Sequence, residues 1–346
     1  MPETMKAVIK PAPGPGLTMT ERPIPPIGPH DVLVKVRAAS ICGTDLHIYH
    51  WDPWAADRIH PPVITGHEVC GEVVDKGREV TRVEIGDFVS LESHVICNRC
   101  RFCLTGNGHL CENTQLIGVD RDGGFAEYIA IPAQNAWRNP PDLPLEVAVL
   151  MENFGNAVHT AFAADVRAKK VLITGCGPVG LMTIAVVKAI GARAVFATDI
   201  SEYRLNFARR MGADYTFDAR SQHIEEAILD LTGGEGVDVW LEMSGAEKAI
   251  DQGFKVLKPG GEVAVLGVAG RPIHLDWDHH IVFKGATVKG ITGRRLWETW
   301  YQARGLVFSG AVDLSQMVTH RYRLEDFEQA FATMESGQSG KVMLLP

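Results

Sequence analysis

The chain has 346 residues, with 34 lysines and arginines against 42 aspartates and glutamates and a net charge of −8. That length allows two domains of ordinary size, each with its own core. Scattered basic residues exclude a phosphate-backbone-binding face, and no run of about eighteen apolar residues is present to span a bilayer, so neither nucleic acid nor membrane is an expected partner. The Met-Pro-Glu-Thr start carries no apolar leader and the seven cysteines are an odd number. The expectation is a soluble, cytoplasmic protein acting on small molecules.

In chain order, Met5 to Lys10 and Asp31 to Arg37 read as strands, the second through Val32, Val34 and Val36 alternating with Lys35 and Arg37. Between them, Pro11 to Pro29 is too rich in proline and glycine to be helix. Gly71 to Val74, Gly86 to Leu91 and Ala126 to Ile131 continue a β-rich region of barrel or sandwich type. Near Val171 the rhythm changes. Val171 to Gly175, Pro178 to Ile190, Ala194 to Asp199, Glu202 to Met211, Val237 to Met243, Gly261 to Val268 and Ala286 to Ile291 alternate strand and helix. That alternation predicts parallel βαβ units with helices on both faces of one sheet, the α/β class. Past Arg295 a Trp-rich helix candidate precedes a strand-like Lys341 to Leu345 that folds back onto the first domain.

Three constellations carry chemistry. Cys97, Cys100, Cys103 and Cys111 have the short gaps with which thiolates converge on one ion. A disulfide framework does not fit the odd cysteine count, and the bacterial iron–sulfur run closes with a three-residue gap and a proline, whereas Cys111 precedes Glu112. A closed structural zinc site is the reading, with His109 inside the lobe surplus to four thiolates. The second constellation, Gly175-Cys176-Gly177-Pro178-Val179-Gly180, follows an apolar strand and opens a helix, the context in which a G-x-G-x-x-G receives a pyrophosphate. About twenty residues further on, Asp199 ends the next strand, where a carboxylate binds a ribose 2′-hydroxyl and repels a 2′-phosphate; NAD is therefore favoured over NADP. The third is dispersed: Cys42 after one strand and His67-Glu68 before the next offer an incomplete, hence openable, zinc site. Taken singly, Thr44 reads as a turn hydroxyl, His47, His279 and His280 as surface histidines, Asp45 as a capping residue, and Cys70 and Cys176 as core.

Gly66-His67-Glu68 with Gly71, Gly77 and Val80, then the four-cysteine lobe, then the G-x-G-x-x-G, resemble the zinc-dependent medium-chain dehydrogenase superfamily over essentially the whole chain. The resemblance implies a GroES-like, barrel-type catalytic domain at 1–155 with its zinc lobe at about 94–114, a Rossmann NAD-binding domain of doubly wound parallel sheet at 156–295, and a segment 296–346 returning to the catalytic domain, with the active site in the cleft. It implies two zinc ions per chain: Cys42, His67 and Glu68 match catalytic positions and the four cysteines structural ones. Thr44 and His47 match a proton-relay pair, and Glu152 a position that either ligates zinc or relays protons. Val179, Asp199, Arg204, Leu266, Gly267, Val268, Ile291 and Thr292 match positions that contact NAD. The strings Ile41 to Tyr49, Phe154 to Thr160, Glu298 to Tyr301 and Ser336 to Val342 imply L-threonine as substrate, oxidised at C3, with polyol or other secondary-alcohol oxidation of the sorbitol or butanediol type as the alternative. His94 then faces the amino acid's charged end, and the family implies a homotetramer.

Overall fold

Val32, Val34 and Val36 point into the core while Lys35 and Arg37 stay exposed, the period-two pattern of a strand. In the computed structural model, which describes residues 2–346, this run becomes the ten-residue strand Asp31–Ser40. The chain divides into two compact units, Met1–Asn153 with Leu314–Pro346, and Phe154–Asp313.

In the first unit, Asp31–Ser40 lies inside a seven-stranded sheet. The order is Ala136–Arg138, Phe88–Leu91, Glu68–Lys76, Asp31–Ser40, Lys341–Leu345, Val318–Arg323, and Tyr128–Pro132 also pairs with Asp31–Ser40. The last two strands bring the end of the chain into this sheet, with Met343 opposite Ser40 and Leu344 opposite Ala39. The Pro/Gly-rich connection contains a strand, Thr18–Pro23, which pairs with Thr4–Lys10; none of its residues is buried, so no apolar alternation marks it in the sequence. Valines and isoleucines of these strands, with Phe125, Phe327 and Phe331, form one buried cluster.

The second unit is a six-stranded parallel sheet in the order Tyr215–Asp218, Ala194–Asp199, Lys170–Thr174, Val237–Glu242, Leu257–Val265, Thr287–Gly290. The order reverses direction between Lys170–Thr174 and Val237–Glu242, the topological switch point beside which such sheets bind ligands. Its second helix-forming run, Glu202–Arg210, is capped by Ser201, whose hydroxyl accepts the Arg204 N–H. The Trp-rich run forms the helix Glu298–Phe308. It belongs to this unit, burying Trp300 and Ala303. The chain therefore returns to the first unit at Leu314 rather than at 296. Among the described residues no helix is long and apolar enough to cross a membrane.

Candidate active site

The residues 97–111 fold into a lobe of two short helices, Arg101–Leu104 and Gly108–Leu110, beside the hairpin of His94–Val95 and Gln115–Leu116. Their turns bring the four sulfurs of Cys97, Cys100, Cys103 and Cys111 within 4.8 Å of one another. The Cys97 and Asn113 backbone N–H groups both donate to the Cys111 sulfur at 3.4 Å. Backbone donation from Arg99 holds the Cys97 thiol low, at about 6, whereas burial and the neighbouring sulfurs push Cys103 up to about 12. Donors aimed at crowded sulfurs favour thiolates, and crowding opposes removing the last protons unless a cation is bound. The lobe thus fits a tetrahedral zinc ion with no open position.

Cys42 stands just past the Asp31–Ser40 strand as the N-cap of the helix Gly43–His50, and His67 and Glu68 open the strand Glu68–Lys76 that pairs with it. Antiparallel pairing, Ser40 opposite Glu68, is what brings these distant positions together. Cys42, His67 and Glu68 offer ligand atoms within 4.8 Å of one another. His67 is 5 % exposed, and its Nδ1 is a buried polar atom without a hydrogen-bond partner; so is Asp45 Oδ1, 3.7 Å away. Burial pulls the His67 imidazole down, but the Asp45 carboxylate, then Cys42 and Glu152, outweigh it and raise it to about 10. Orphaned nitrogen and converging anionic groups are the signature of a pocket built for a cation, and one thiolate, one imidazole and a carboxylate suit zinc.

Around this cluster lies a shell that sequence reasoning finds only in part. Asp45 Oδ2 accepts the Cys42 N–H at 2.8 Å, the expected capping role, while its other oxygen faces His67. Lys341, from the last strand, is 2 % exposed; its ammonium donates to Glu68 Oε1 at 2.7 Å and to the Ile41 carbonyl at 2.8 Å. The Ser40 hydroxyl donates to Glu68 Oε2. The Asp45 spacing of three from the N-cap is a readable capping-box signal, but nothing local marks Lys341 as a partner of Glu68.

Glu152 lies in the first turn of the helix Met151–Phe162, 4 % exposed, and its Oε1 accepts the Ser93 hydroxyl at 2.5 Å. With Glu92 and His94 it forms a further group of convergent ligand atoms, and its charge reaches both His67 and Glu68. His94 Nδ1 lies 2.8 Å from the buried Glu92 carboxylate. Thr44 and His47 sit three residues apart, one turn of a single helix, with Thr44 half-buried and His47 exposed.

In the second unit, the strands Lys170–Thr174, Ala194–Asp199, Leu257–Val265 and Thr287–Gly290 are parallel, so the residues that follow them share one edge of the sheet. Gly175, Gly177, Val179, Gly180, Asp199, Leu266, Gly267, Val268, Ile291 and Thr292 all fall at that edge. Gly175 has φ +89°, a left-handed turn; a Cβ on Gly180 would collide with the Gly175 carbonyl, whereas one on Gly177 would meet open space. Tight turn, helix–strand contact and an open face toward a ligand are the three requirements of a pyrophosphate cradle. Asp199 accepts the Cys176 N–H at 2.7 Å and the Ser201 N–H at 2.8 Å, which fixes its carboxylate at the strand end, and Arg204 Nη1 lies 4.0 Å from it. These residues fit NAD. Cys176 is fully buried filler, as expected. His280 corrects its expectation: it is 7 % exposed and stacks on Phe254 at 5.2 Å, because the Asp278–Val282 turn rolls it inward, while His279 stays at the surface.

Residues 28–141 match the model of the alcohol dehydrogenase GroES-like domain, and residues 178–309 that of the zinc-binding dehydrogenases. The chain is 53 % identical to L-threonine 3-dehydrogenase of Symbiobacterium thermophilum and 47 % identical to that of Pyrococcus furiosus, in both cases over 100 % of this chain and 99 % of the relative. Among solved structures it resembles 2R,3R-butanediol dehydrogenase of Bacillus subtilis, with a TM-score of 0.89 and 29 % identity over 99 % of each chain. The two family models fall on the two units in the order the chain presents them, the GroES-like match before the dehydrogenase match. The chain belongs to the zinc-binding dehydrogenases of the alcohol dehydrogenase family.

Proposed function

We propose that the chain is an NAD- and zinc-dependent L-threonine 3-dehydrogenase, which converts L-threonine and NAD⁺ to 2-amino-3-oxobutanoate, NADH and a proton. The observation that carries this reading is the convergence of Cys42, His67 and Glu68 in a chain whose full-length relatives have that activity in their name. When bound, zinc supplies Lewis acidity that lowers the pKa of an alcohol, and NAD supplies the hydride acceptor.

The chain's own residues do the rest. Cys42, His67 and Glu68 hold the catalytic ion, Glu68 itself being steadied by Lys341 and Ser40. Glu152, buried beside them, either completes the ligand set or takes up the alcohol proton. Thr44 and His47 lead that proton to solvent, His47 being the exposed end of the pair and an imidazole being suited to neutral pH. His94, fixed by Glu92, meets the charged end of the amino acid. Cys97, Cys100, Cys103 and Cys111 hold the second, structural ion. Gly175, Gly177, Val179 and Gly180 cradle the pyrophosphate, Asp199 takes the ribose hydroxyls with Arg204 beside it, and Leu266 to Val268 with Ile291 and Thr292 line the rest of the coenzyme. A homotetramer in the reducing cytoplasm completes the reading. The edge strand Thr287–Gly290, exposed along its length, supports self-association, and seven unpaired cysteines suit that compartment.

The test is NADH formation from L-threonine beside D-threonine, sorbitol, 2,3-butanediol and ethanol. L-threonine is expected to give the highest kcat/KM; faster turnover of either polyol would replace the substrate while leaving the zinc and NAD sites standing. His94→Ala is expected to raise KM for threonine with little change in kcat.

A further inference from the structure

The helix Gly43–His50 ends at Trp51, which adopts φ 57° and returns its N–H to the carbonyls of His47 and Ile48. The next residue, Asp52, opens the helix Pro53–Arg58 as its N-cap: Oδ1 accepts the Ala55 N–H at 2.9 Å. That bond anchors one oxygen of the carboxylate and leaves the other for a different partner. Oδ2 lies 2.5 Å from His47 Nδ1, and the Trp54 ring meets the same imidazole edge-on with centroids 5.9 Å apart. Burial acts to raise the Asp52 carboxyl, but the backbone N–H of Ala55, His47 and the N–H of Trp54 outweigh it and hold it below its ordinary value, so it is an anion at neutral pH. Other charges nearby are engaged elsewhere: His50 pairs with Glu335 at 2.5 Å, and the Lys10 ammonium lies over the Trp51 ring at 4.8 Å.

We propose that Asp52 is a positioning residue for His47 and makes the Thr44–His47 pair a three-membered relay. The proposal rests on the relay reading given above. An anionic acceptor at Nδ1 keeps the ring proton there and leaves the lone pair on Nε2. Neutral imidazole in water prefers the opposite arrangement, with its proton on Nε2, so an unassisted His47 would mostly present an occupied nitrogen to an arriving proton. With Asp52 in place, the proton released from the substrate hydroxyl is received at Nε2 and passed to water; the Nδ1 proton is never transferred, and the hydride with its electron pair goes to NAD⁺. The contact has little other purpose. His47 and Asp52 side chains are 59 % and 31 % exposed, a setting in which an ion pair adds little stability, and the Ala55 N–H that caps Pro53–Arg58 goes to Oδ1, not to the oxygen facing His47.

The test compares the zinc-loaded protein with Asp52→Ser, which retains a capping hydroxyl but is too short to reach His47, and with His47→Gln. Nitrogen-15 shifts of the His47 ring at alkaline pH, assigned by their loss in His47→Gln, report the tautomer without reference to turnover. The expected result is an Nδ1–H tautomer in the parent and Nε2–H in Asp52→Ser. The same variant should lose about tenfold in kcat at unchanged KM for threonine and keep its melting midpoint. An Nε2–H tautomer already present in the parent, or kcat unchanged in Asp52→Ser while His47→Gln is impaired, would overturn the role of Asp52 and leave the relay intact. Full turnover in His47→Gln would remove the relay itself, and the proposal with it.

Discussion

Glu68 is a buried carboxylate whose two oxygens are both engaged, by Lys341 and by Ser40, and Lys341 is a buried ammonium that spends its remaining bond on the Ile41 carbonyl. Burying two charges is costly, and removing one partner costs more than the pair contributes because the other is left uncompensated. Lys341→Met is therefore expected to destabilise the first unit by about 3 to 5 kcal/mol, read from urea unfolding. Adding Glu68→Gln should recover part of that loss, a coupling that a double-mutant cycle measures; strictly additive effects would mean the contact is not energetically real. The C-terminal strand is thus tied to Glu68, a proposed zinc ligand, by charge as well as by the sheet ladder.

Among the elements, the glycine-rich turn separates coenzyme binding from folding. Gly177→Ala places a methyl in open space and should leave the melting midpoint unchanged while weakening NAD binding by about tenfold or more, as blocking a close backbone approach to phosphate does. Gly180→Ala drives its methyl into the Gly175 carbonyl and should instead cost about 2 kcal/mol of stability. Calorimetry of both variants with and without NAD distinguishes the two losses. The zinc sites divide in the same way. Cys100→Ser should leave one zinc per chain and lower the melting midpoint by about 5 °C or more, because the ion proposed there would brace a lobe whose helix Arg101–Leu104 buries no residue of its own. Cys42→Ser should keep its midpoint and lose about a hundredfold or more in turnover. A Cys100→Ser protein that keeps both ions and its midpoint would refute the bracing role of the lobe.

For the molecule as a whole, many surface carboxylates are held below their ordinary range: Glu325 by Lys6, Glu235 by Lys170, Asp218 by Arg220 and Asp165 by Arg167. Such groups bind protons less readily folded than unfolded. Their stabilisation is complete above the unfolded-state values near about pH 4 and is lost as pH falls through the folded ones. The urea midpoint should therefore drop between about pH 5 and about pH 3, and drop less at high salt, since these pairs are exposed and screened. The two-unit architecture was legible in the order of its signals: alternation in Asp31 to Arg37, then strand–helix alternation from Val171, then a returning tail. The glycine turn, Asp199 and the cysteine lobe were legible as well. Each is local, so spacing along the chain equals spacing in space to within a turn. What only the tertiary structure decided is long-range. Strand pairing sets Ser40 opposite Glu68 and so gathers Cys42 and His67; the last strand delivers Lys341 to Glu68; packing that buries Trp300 and Ala303, not composition, goes with the placement of 296–313 in the second unit. Asp52 falls between the two cases: His47 is near in sequence, but their hydrogen bond depends on which way a turn rolls the side chain, whereas His280 stacks on Phe254 of a separate helix and belongs with the long-range contacts. Local patterns determine element type because backbone sterics and capping act over one turn, whereas a register or an inward-rolled ring is chosen by packing against chain that lies hundreds of residues away or on another face.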